Sequence, residues 1–574
     1  MSKTALWFGP EDRARFAWLT VPAGGRARGA VVLCPPLGLE GTCTHRTYLD
    51  LQDDLTKRGF CVLRIDYDGT GDSVGGEGNP GRVDAWIASV REAVDLVRGA
   101  GARQVGVVGM RMGATLASVA GGQPPPEALV LWDPFATGRG YLRRQRALRA
   151  LRLEQTTLDD GSVEALGVTY GPHTVSQLSA LEVAGGDTQP AGRVLVLTRP
   201  GAEVDRLIVE RLSGTTTDWD RADGQQDLVD VEPFSAVVPR ATVDRVVAWL
   251  DSVLPSETST FTAPRGVTPV VGRLGDGQAL VERALQLGPL GLFGIVTEPE
   301  GESGLPRGPT LVLLNSGVVS HIGPGRLWVD MGRQLAAGGM RVVRLDLSGL
   351  GDSPARPGRP VDVTYPPEAF DDMAEALPAI SPDDPTDVVL AGLCSGGYHA
   401  IEGAIAFGAR GVCLVNPVLT THPAEVHAAA SGSAAAPVDP RRSATTARKR
   451  WVRALPAHDA IGAVVDRLPD AAWWMINRLA VENPPSRVLG RLVERGVDTF
   501  VVCGEPEARL VRRGEEAALR RLARTGSFRL EVVPGIDHEL FGRAARERVM
   551  PIVERHLLDH FAAVGVVHAR TAPP

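Results

Sequence analysis

The sequence lacks the features that mark several common classes of protein. Its 574 residues include only six cysteines, too few and too scattered for a disulfide framework. No run of about 18 apolar residues occurs, so we expect no membrane span. Residues 1–18 show no basic-then-apolar secretion signal, and a reducing cytoplasm is the simplest compartment. No cluster of histidine, cysteine and acidic residues has metal-ligand spacing, so we expect no metal and no other cofactor.

Neither nucleic acid nor a dinucleotide is indicated as a ligand. The formal net charge of −7 gives no basic excess of the kind that nucleic-acid binding requires. The segments Gly69–Asp72 and Gly349–Asp352 lack the third glycine of a dinucleotide-binding loop and its place at the start of a helix. A composition of 44% hydrophobic and 22% charged residues is instead typical of a globular protein, and the length suits two large domains.

Four segments of the first half recur in the second half in the same order. The corresponding pairs are Leu33–Gly38 with Leu313–Val318, Leu63–Ser73 with Val343–Ser353, Val108–Ala114 with Ala391–Gly397, and Leu131–Pro134 with Leu414–Pro417. The spacing is preserved as well, because Asp133 follows Arg111 by the same number of residues as Asn416 follows Cys394. The chain is therefore expected to contain two copies of one structural unit.

Each copy alternates short apolar runs with helical patterns, which predicts an α/β fold with a mostly parallel sheet covered on both faces. We assign copy one to residues 1–255 and copy two to residues 256–574, with a Pro/Ser/Thr-rich join at the boundary. Between its sixth and seventh strands each copy carries an insertion, residues 139–188 and 420–485, which we expect to form a helical cap.

A sharp turn in copy two organises the search for function. Val388–Ala391 is an apolar run typical of a buried strand, and an apolar-periodic helix follows Gly396. The intervening Gly-Leu-Cys-Ser-Gly string has the pattern of a nucleophile elbow, in which two glycines allow a strained turn to expose the middle residue. That residue is Cys394.

These residues resemble a known family. Copy two is similar to α/β-hydrolases of the serine-aminopeptidase-like branch, including those found beside exosortase systems, through Asn315–Gly317, His321–Leu327, Arg344–Ser353, Gly392–Gly396 and Ile536–His538. Copy one resembles a sister group through Leu33–Gly38, His45, Arg46, Asp66–Ser73 and Gly109–Gly113. The resemblance implies two tandem α/β-hydrolase domains and does not extend to the two insertions.

Copy two supplies the groups of a catalytic triad in the order nucleophile, acid, histidine. Cys394 is the candidate nucleophile, and His538, just after an apolar strand, is the candidate base. The acid should follow the preceding strand, where the spacing favours Glu507 and leaves Glu505 as the substitute. The alternatives are a buried structural cysteine, a histidine in a surface turn and a solvated acid.

The same region offers an oxyanion hole. The backbone N–H groups of Ser395 and of the Gly317–Val318 loop, with Val318 as our choice, are the candidate donors. His321 lies on that loop and is a candidate for binding substrate, although a lone loop histidine is commonly structural. The Ser395 hydroxyl stands one position too far along to serve as the nucleophile.

Copy one fails the same test and is predicted to be a degenerate hydrolase. Its elbow position is Arg111, whose guanidinium stays protonated and cannot act as a nucleophile. Its final strand region, which we place around Val229–Ser235, contains no histidine. Arg111 either binds a carboxylate or phosphate of the substrate or pairs internally with Asp133 or Asp72.

A cysteine nucleophile favours acyl transfer, because its thioester intermediate is intercepted readily by amines and thiols. We therefore expect a thioesterase or acyltransferase acting on a small-molecule acyl thioester or ester, either free or carried on coenzyme A or a carrier protein. The basic segment Arg441–Arg453 is either a solvated surface or a site for the phosphate of such a carrier. A simple esterase or peptidase-like hydrolase is the near alternative, and a non-catalytic scaffold is the alternative of another class.

Overall fold

The computed structural model describes residues 1–153, 160–186, 188–255, 257–301, 308–419 and 484–562. They form two compact units, the first comprising 1–284 with 325–330, and the second comprising 285–324 with the described residues from 331 onward. Nearly all of the second insertion and the basic segment Arg441–Arg453 lie outside the described residues. Within the described residues, no helix is both long and apolar enough to cross a membrane.

The first unit is built on an eight-stranded sheet in the order β1-β2-β5-β4-β6-β7-β10-β11. These strands are β1 Ser2–Phe8, β2 Arg15–Val21, β4 Ala30–Cys34, β5 Cys61–Ile65, β6 Val105–Met110, β7 Ala128–Trp132, β10 Arg193–Thr198 and β11 Thr216–Arg221. Strand β2 is antiparallel to β1 and β5, and the other neighbours run parallel. Two short pairs complete the unit, β3 Arg26–Ala27 with β12 Ser259–Thr260, and β8 Val163–Ala165 with β9 Val168–Tyr170.

Helices flank this sheet. They are α1 Leu39–Lys57, α2 Arg82–Gly99, α3 Met112–Ala120, α4 Gly138–Arg152, α5 Pro172–Ala180, α6 Arg206–Arg211, α7 Gln226–Val229 and α8 Arg240–Val253. All five residues of β4 are buried, as expected for a strand covered on both faces. The insertion at 139–188 is only partly helical, because the β8–β9 hairpin separates α4 from α5.

The prediction for the last strand of the first unit was wrong. Val229–Ser235 contains the end of α7 and a short 3-10 turn, whereas the strand is β11, Thr216–Arg221. Strand β11 lies at the edge of the sheet, and none of its residues is fully buried. Its sequence is consequently polar and lacks the apolar run that marks a covered strand.

The second half of the chain forms a nine-stranded sheet in the order β13-β14-β15-β17-β16-β18-β19-β20-β21. The strands are β13 Val270–Arg273, β14 Ala279–Leu287, β15 Leu292–Pro299, β16 Thr310–Leu313, β17 Val342–Leu345, β18 Val388–Leu393, β19 Gly411–Val415, β20 Asp498–Cys503 and β21 Phe528–Val532. From β17 to β21 every neighbouring pair is parallel. Apart from the added edge strand β13, this order repeats that of the first sheet.

Helices again cover the sheet. They are α9 Leu327–Ala337, α10 Ala369–Ile380, α11 Ser395–Phe407, α12 Pro485–Val493, α13 Glu505–Arg512, α14 Glu516–Ala523 and α15 Arg543–Phe561. Buried Val, Leu and Ile side chains of β16, β17, β18 and β19 pack with those of α10 and α11 into one core. The carboxyl ends of the central parallel strands meet at one edge of the sheet, and the candidate residues lie there.

Candidate active site

Cys394 occupies a strained turn between β18 and α11. Its backbone has φ 55° and ψ −114°, a conformation that residues other than glycine rarely adopt. A Cβ on Gly392 would lie 2.1 Å from the carbonyl carbon of Gly396, and one on Gly396 would lie 2.6 Å from the Asn315 carbonyl oxygen. The glycines of the motif are therefore required by close backbone packing, and the turn presents Cys394 with 8% of its surface exposed.

His538 and Glu507 are brought together by the loops that follow β21 and β20. The Nδ1 atom of His538 lies 3.0 Å from Oε1 of Glu507, which stands in the first turn of α13. Glu505 in the same turn is exposed to solvent. Of the two predicted acids, Glu507 is the one that contacts the histidine.

The environment of His538 favours its protonated form. Burial lowers the pKa of His538, but interactions with Cys394 and Glu507 outweigh it, and the net result is a pKa raised from 6.5 to about 11. The Nε2 atom is buried, and no described residue meets the geometric criteria for a hydrogen bond to it. The contact with Cys394 is therefore looser than an ideal hydrogen bond, as catalytic contacts often are before substrate binds.

Asn416 fixes the loop that carries the histidine, a role that the sequence did not reveal. Its Nδ2 donates to the carbonyl oxygens of His538 at 2.8 Å and Asp537 at 3.3 Å. Its Oδ1 accepts from the Gly504 N–H at 2.9 Å. Asn416 has φ 43°, a conformation that asparagine tolerates better than most residues. The repeat marked its position but could not show its partners, which are distant in sequence.

The loop after β16 is tied to the elbow. The Gly317 N–H donates to the Ser395 hydroxyl oxygen at 2.8 Å, so that hydroxyl is engaged with the loop. The Ser395 N–H belongs to the first residue of α11, where no intrahelical acceptor exists. Val318 follows directly on the tethered loop. The arrangement is compatible with the predicted oxyanion hole, which stays a prediction.

His321 is buried and paired with an aspartate. Its Nδ1 lies 2.7 Å from Oδ2 of Asp346, and only 2% of its surface is exposed. Asp346 also accepts from the backbone N–H groups of His321 and Asp352, and from the Asn315 side chain. These contacts favour a structural role in shaping the loop, and a direct role in binding substrate stays a prediction.

The described residues contain one group with possible metal ligands, His321, Asp346 and Asp352, whose donor atoms lie within 4.8 Å of one another. Sequence reasoning did not find this group, because its members are not closely spaced along the chain. Both carboxylate oxygens of Asp346 already accept two hydrogen bonds each. The contacts of Asp346 therefore anchor the loop that carries His321.

The first unit repeats the elbow with a different side chain. Arg111 has φ 56° and ψ −124°, and its N–H donates to the Trp132 carbonyl just as Cys394 donates to Val415. The Arg111 guanidinium is buried, forms two hydrogen bonds with Glu40 at 3.1 and 3.2 Å, and donates to Asp133 at 2.9 Å. These contacts favour internal pairing, and binding of a substrate anion by Arg111 stays a prediction.

Further charges extend this network. Arg199, just after β10, contacts both Asp133 and Asp230 at 2.6 Å, and Arg144 of α4 approaches Glu40 and Asp230. In the sheet register Arg193 corresponds to Asp498, so Arg199 stands where the second unit has Gly504, and Ala202 stands where it has Glu507. The first unit therefore lacks an acid at the position of Glu507 as well as a nucleophile at the elbow.

Two family models match the chain. The model described as the alpha/beta hydrolase family matches residues 311–550, and the model described as serine aminopeptidase, S33, matches residues 25–170. Both halves of the chain are α/β-hydrolase domains. The second hydrolase domain carries Cys394 at its elbow, and the first hydrolase domain, although its match is named for a serine enzyme, carries Arg111 there.

Several solved structures resemble part of this chain. Est1E from Butyrivibrio proteoclasticus with ferulic acid bound is 16% identical and covers 43% of this chain and 99% of its own, with a TM-score of 0.35. An esterase from Pyrococcus furiosus is 16% identical, and the match covers 44% of this chain and 93% of the esterase, with a TM-score of 0.32. XC6422 from Xanthomonas campestris is 14% identical, and the match covers 51% of this chain and 100% of XC6422, with a TM-score of 0.29. No curated protein matches the sequence.

Proposed function

We propose that the second hydrolase domain is an acyl-transfer enzyme that works through a covalent thioester on Cys394. The substrate is an acyl thioester or ester of a small molecule, either free or carried on coenzyme A or a carrier protein. The observation that carries this proposal is the Glu507–His538 pair, with Nδ1 bound to the carboxylate and a buried Nε2 next to the elbow cysteine. This is the geometry that an activated nucleophile requires.

The chemistry balances in two steps. The Cys394 thiolate attacks the acyl carbon, a C–S bond forms, and the bond to the leaving alkoxide or thiolate breaks as His538 donates a proton to it. In the second step neutral His538 takes a proton from the acceptor, which attacks the thioester and releases the sulfur. Glu507 holds the ring and stabilises the imidazolium. Water as the acceptor gives a thioesterase, and an amine, alcohol or thiol gives an acyltransferase.

The test is intact-protein mass spectrometry after mixing with a panel of acyl thioesters and activated esters. We expect the native protein to gain the mass of one acyl group, and Cys394→Ala to gain none. The variant His538→Ala should gain it at least about 100-fold more slowly, because general acid–base catalysis is lost. Adding water, amines or alcohols to the acylated protein then separates hydrolysis from transfer.

The other candidate functions give different outcomes. A simple esterase or peptidase-like hydrolase would turn over esters or peptides with water alone and would not pass the acyl group to amines or thiols. A scaffold protein would form no adduct and show no turnover with any member of the panel. An adduct that persists in Cys394→Ala would contradict the assignment of the nucleophile.

A further inference from the structure

A buried arginine of the first hydrolase domain lacks a partner for its charge. Arg82 is the first residue of α2, and only 2% of its surface is exposed. Its Nε and Nη1 atoms are buried without a hydrogen-bond acceptor, and no described residue forms an ion pair with it. Because a guanidinium stays protonated, Arg82 places in the interior a positive charge that has no hydrogen-bonded counter-charge.

The other two buried arginines among the described residues of 1–284 are each paired with an acid. Arg15 contacts Glu92 at 2.6 Å, and Arg111 contacts Glu40 at 3.1 Å. A buried charge without a partner is costly. Since this fold pairs two of its buried arginines within the chain, the unpaired third indicates a counter-charge that comes from outside the chain.

Aromatic side chains line the space around the guanidinium. The Cζ atom of Arg82 lies 4.9 Å from the centroid of the Trp86 ring. The ring of Tyr170 packs edge-on against the same tryptophan, with centroids 6.3 Å apart, and its hydroxyl oxygen lies 2.6 Å from that of Tyr141. That contact uses only one of the two hydroxyl protons, so the other can be donated to a further acceptor.

Arg82 stands at a helix N-terminus that is covered by the insertion at 139–188. Gln177 of α5 accepts from the Val83 N–H at 3.4 Å and donates to Asp84 at 2.6 Å. The acid of this turn is therefore engaged with the insertion. The first turn of an 18-residue helix also carries a partial positive charge. The arginine side chain and the helix that bears it both favour an anion.

We propose that Arg82 anchors a binding site for a small organic carboxylate in the first hydrolase domain. The planar guanidinium presents parallel N–H donors that match the two oxygens of a carboxylate. One positive charge balances one carboxylate, whereas a phosphate group near neutral pH carries about two negative charges. The aromatic walls suit an apolar body on the ligand. This inference does not rest on the thioester mechanism proposed for the second hydrolase domain.

The experiment measures binding of benzoate to the full chain by isothermal titration calorimetry. Benzamide serves as the uncharged analogue and inorganic phosphate as the other anion. We expect benzoate to bind at one site, equally in the native protein and in Cys394→Ala, and the other two probes to bind at least about tenfold more weakly. Arg82→Met, which keeps an apolar stem and removes the charge, should weaken benzoate binding by at least about tenfold.

The melting temperatures of the unliganded variants give a second readout. Since the charge of Arg82 is unpaired until a ligand binds, Arg82→Met should melt at or above the temperature of the native protein. Arg15→Met is the matched control, because it removes a buried arginine that is paired within the chain. Its Tm should fall, and its affinity for benzoate should equal that of the native protein.

Several outcomes would overturn the proposal. The site does not exist if the native protein binds no benzoate, or if Arg82→Met binds it with native affinity. A Tm of Arg82→Met as low as that of Arg15→Met would show that the chain itself balances the charge. Tighter binding of phosphate than of benzoate would exclude the carboxylate, and loss of binding in Cys394→Ala would place the anion elsewhere. The acyl adduct on Cys394, measured separately, tests the proposed function whatever the result at Arg82.

Discussion

The Glu507–His538 pair sets the pH range in which a thiolate–imidazolium site could work. The pKa of His538 is raised from 6.5 to about 11. The interactions that raise it therefore make their full contribution to the free energy of unfolding below pH 6.5. This contribution is lost as the pH rises through about 11. In the proposed mechanism, the same protonation would keep the imidazolium available to the leaving group until the alkaline end of that range.

Removing the carboxylate should narrow the range. In Glu507→Gln one of the interactions that raise the pKa of His538 is lost, so the alkaline limb of the acylation rate should move downward by roughly one pH unit. The rate of adduct formation, followed by mass against pH, measures it. Glu505→Gln is the matched control, because Glu505 is exposed in the same helical turn. Equal profiles for the two variants would contradict Glu507 as the triad acid.

Much of this site could be predicted from local sequence, because its motifs depend on short spacings. The glycines around Cys394 indicate a strand-to-helix turn. The cysteine, the acid and the histidine each follow the end of a different parallel strand, so their order along the chain is the order of those strands. The contacts of Asn416 could not be predicted, since they join segments that are distant in sequence. The polar edge strand β11 was missed for another reason, since it lacks the apolar signal of a covered strand.

The elbow and its neighbouring loop form one packed element, which makes the second motif glycine a sensitive position. A Cβ on Gly396 would lie 2.6 Å from the Asn315 carbonyl oxygen, and one on Gly113 in the first domain would lie 2.4 Å from those of Cys34 and Pro35. Alanine at either position should lower the free energy of unfolding by about 1–3 kcal/mol through overpacking.

The two alanine variants should differ in the rate at which the acyl adduct forms. Gly396→Ala pushes against the loop that continues to Gly317 and Val318, so it should slow formation of the acyl adduct. Gly113→Ala strains the corresponding turn around Arg111 and should leave acylation at the native rate. Urea unfolding and adduct mass, measured on both variants, give the comparison. If acylation slows equally in both, the loop after β16 has no special part in the reaction.

Across the whole chain, the same fold carries a cysteine at one elbow and an arginine at the other. The second domain combines Cys394 with Glu507 and His538, whereas the first places Arg111 at its elbow and surrounds Arg111 and Arg199 with Glu40, Asp133 and Asp230. Buried arginines need such partners, since an unpaired buried charge is costly. The first domain therefore has a self-contained ionic network where a hydrolase would have its triad.

Removing Arg111 from that network should lower the free energy of unfolding without changing the rate at which the acyl adduct forms on Cys394. Arg111→Ala leaves Glu40, which is 3% exposed, without its main partner, and should cost about 3–5 kcal/mol of unfolding free energy. Arg111→Met keeps much of the side-chain volume over the Phe135 ring, where the guanidinium lies 4.1 Å from the centroid, and together with Glu40→Gln it should recover part of this loss. In every variant that remains folded, the acyl adduct on Cys394 should form at the native rate. A folded Arg111 variant that binds or transfers acyl groups more weakly would instead give the first domain a direct part in substrate binding.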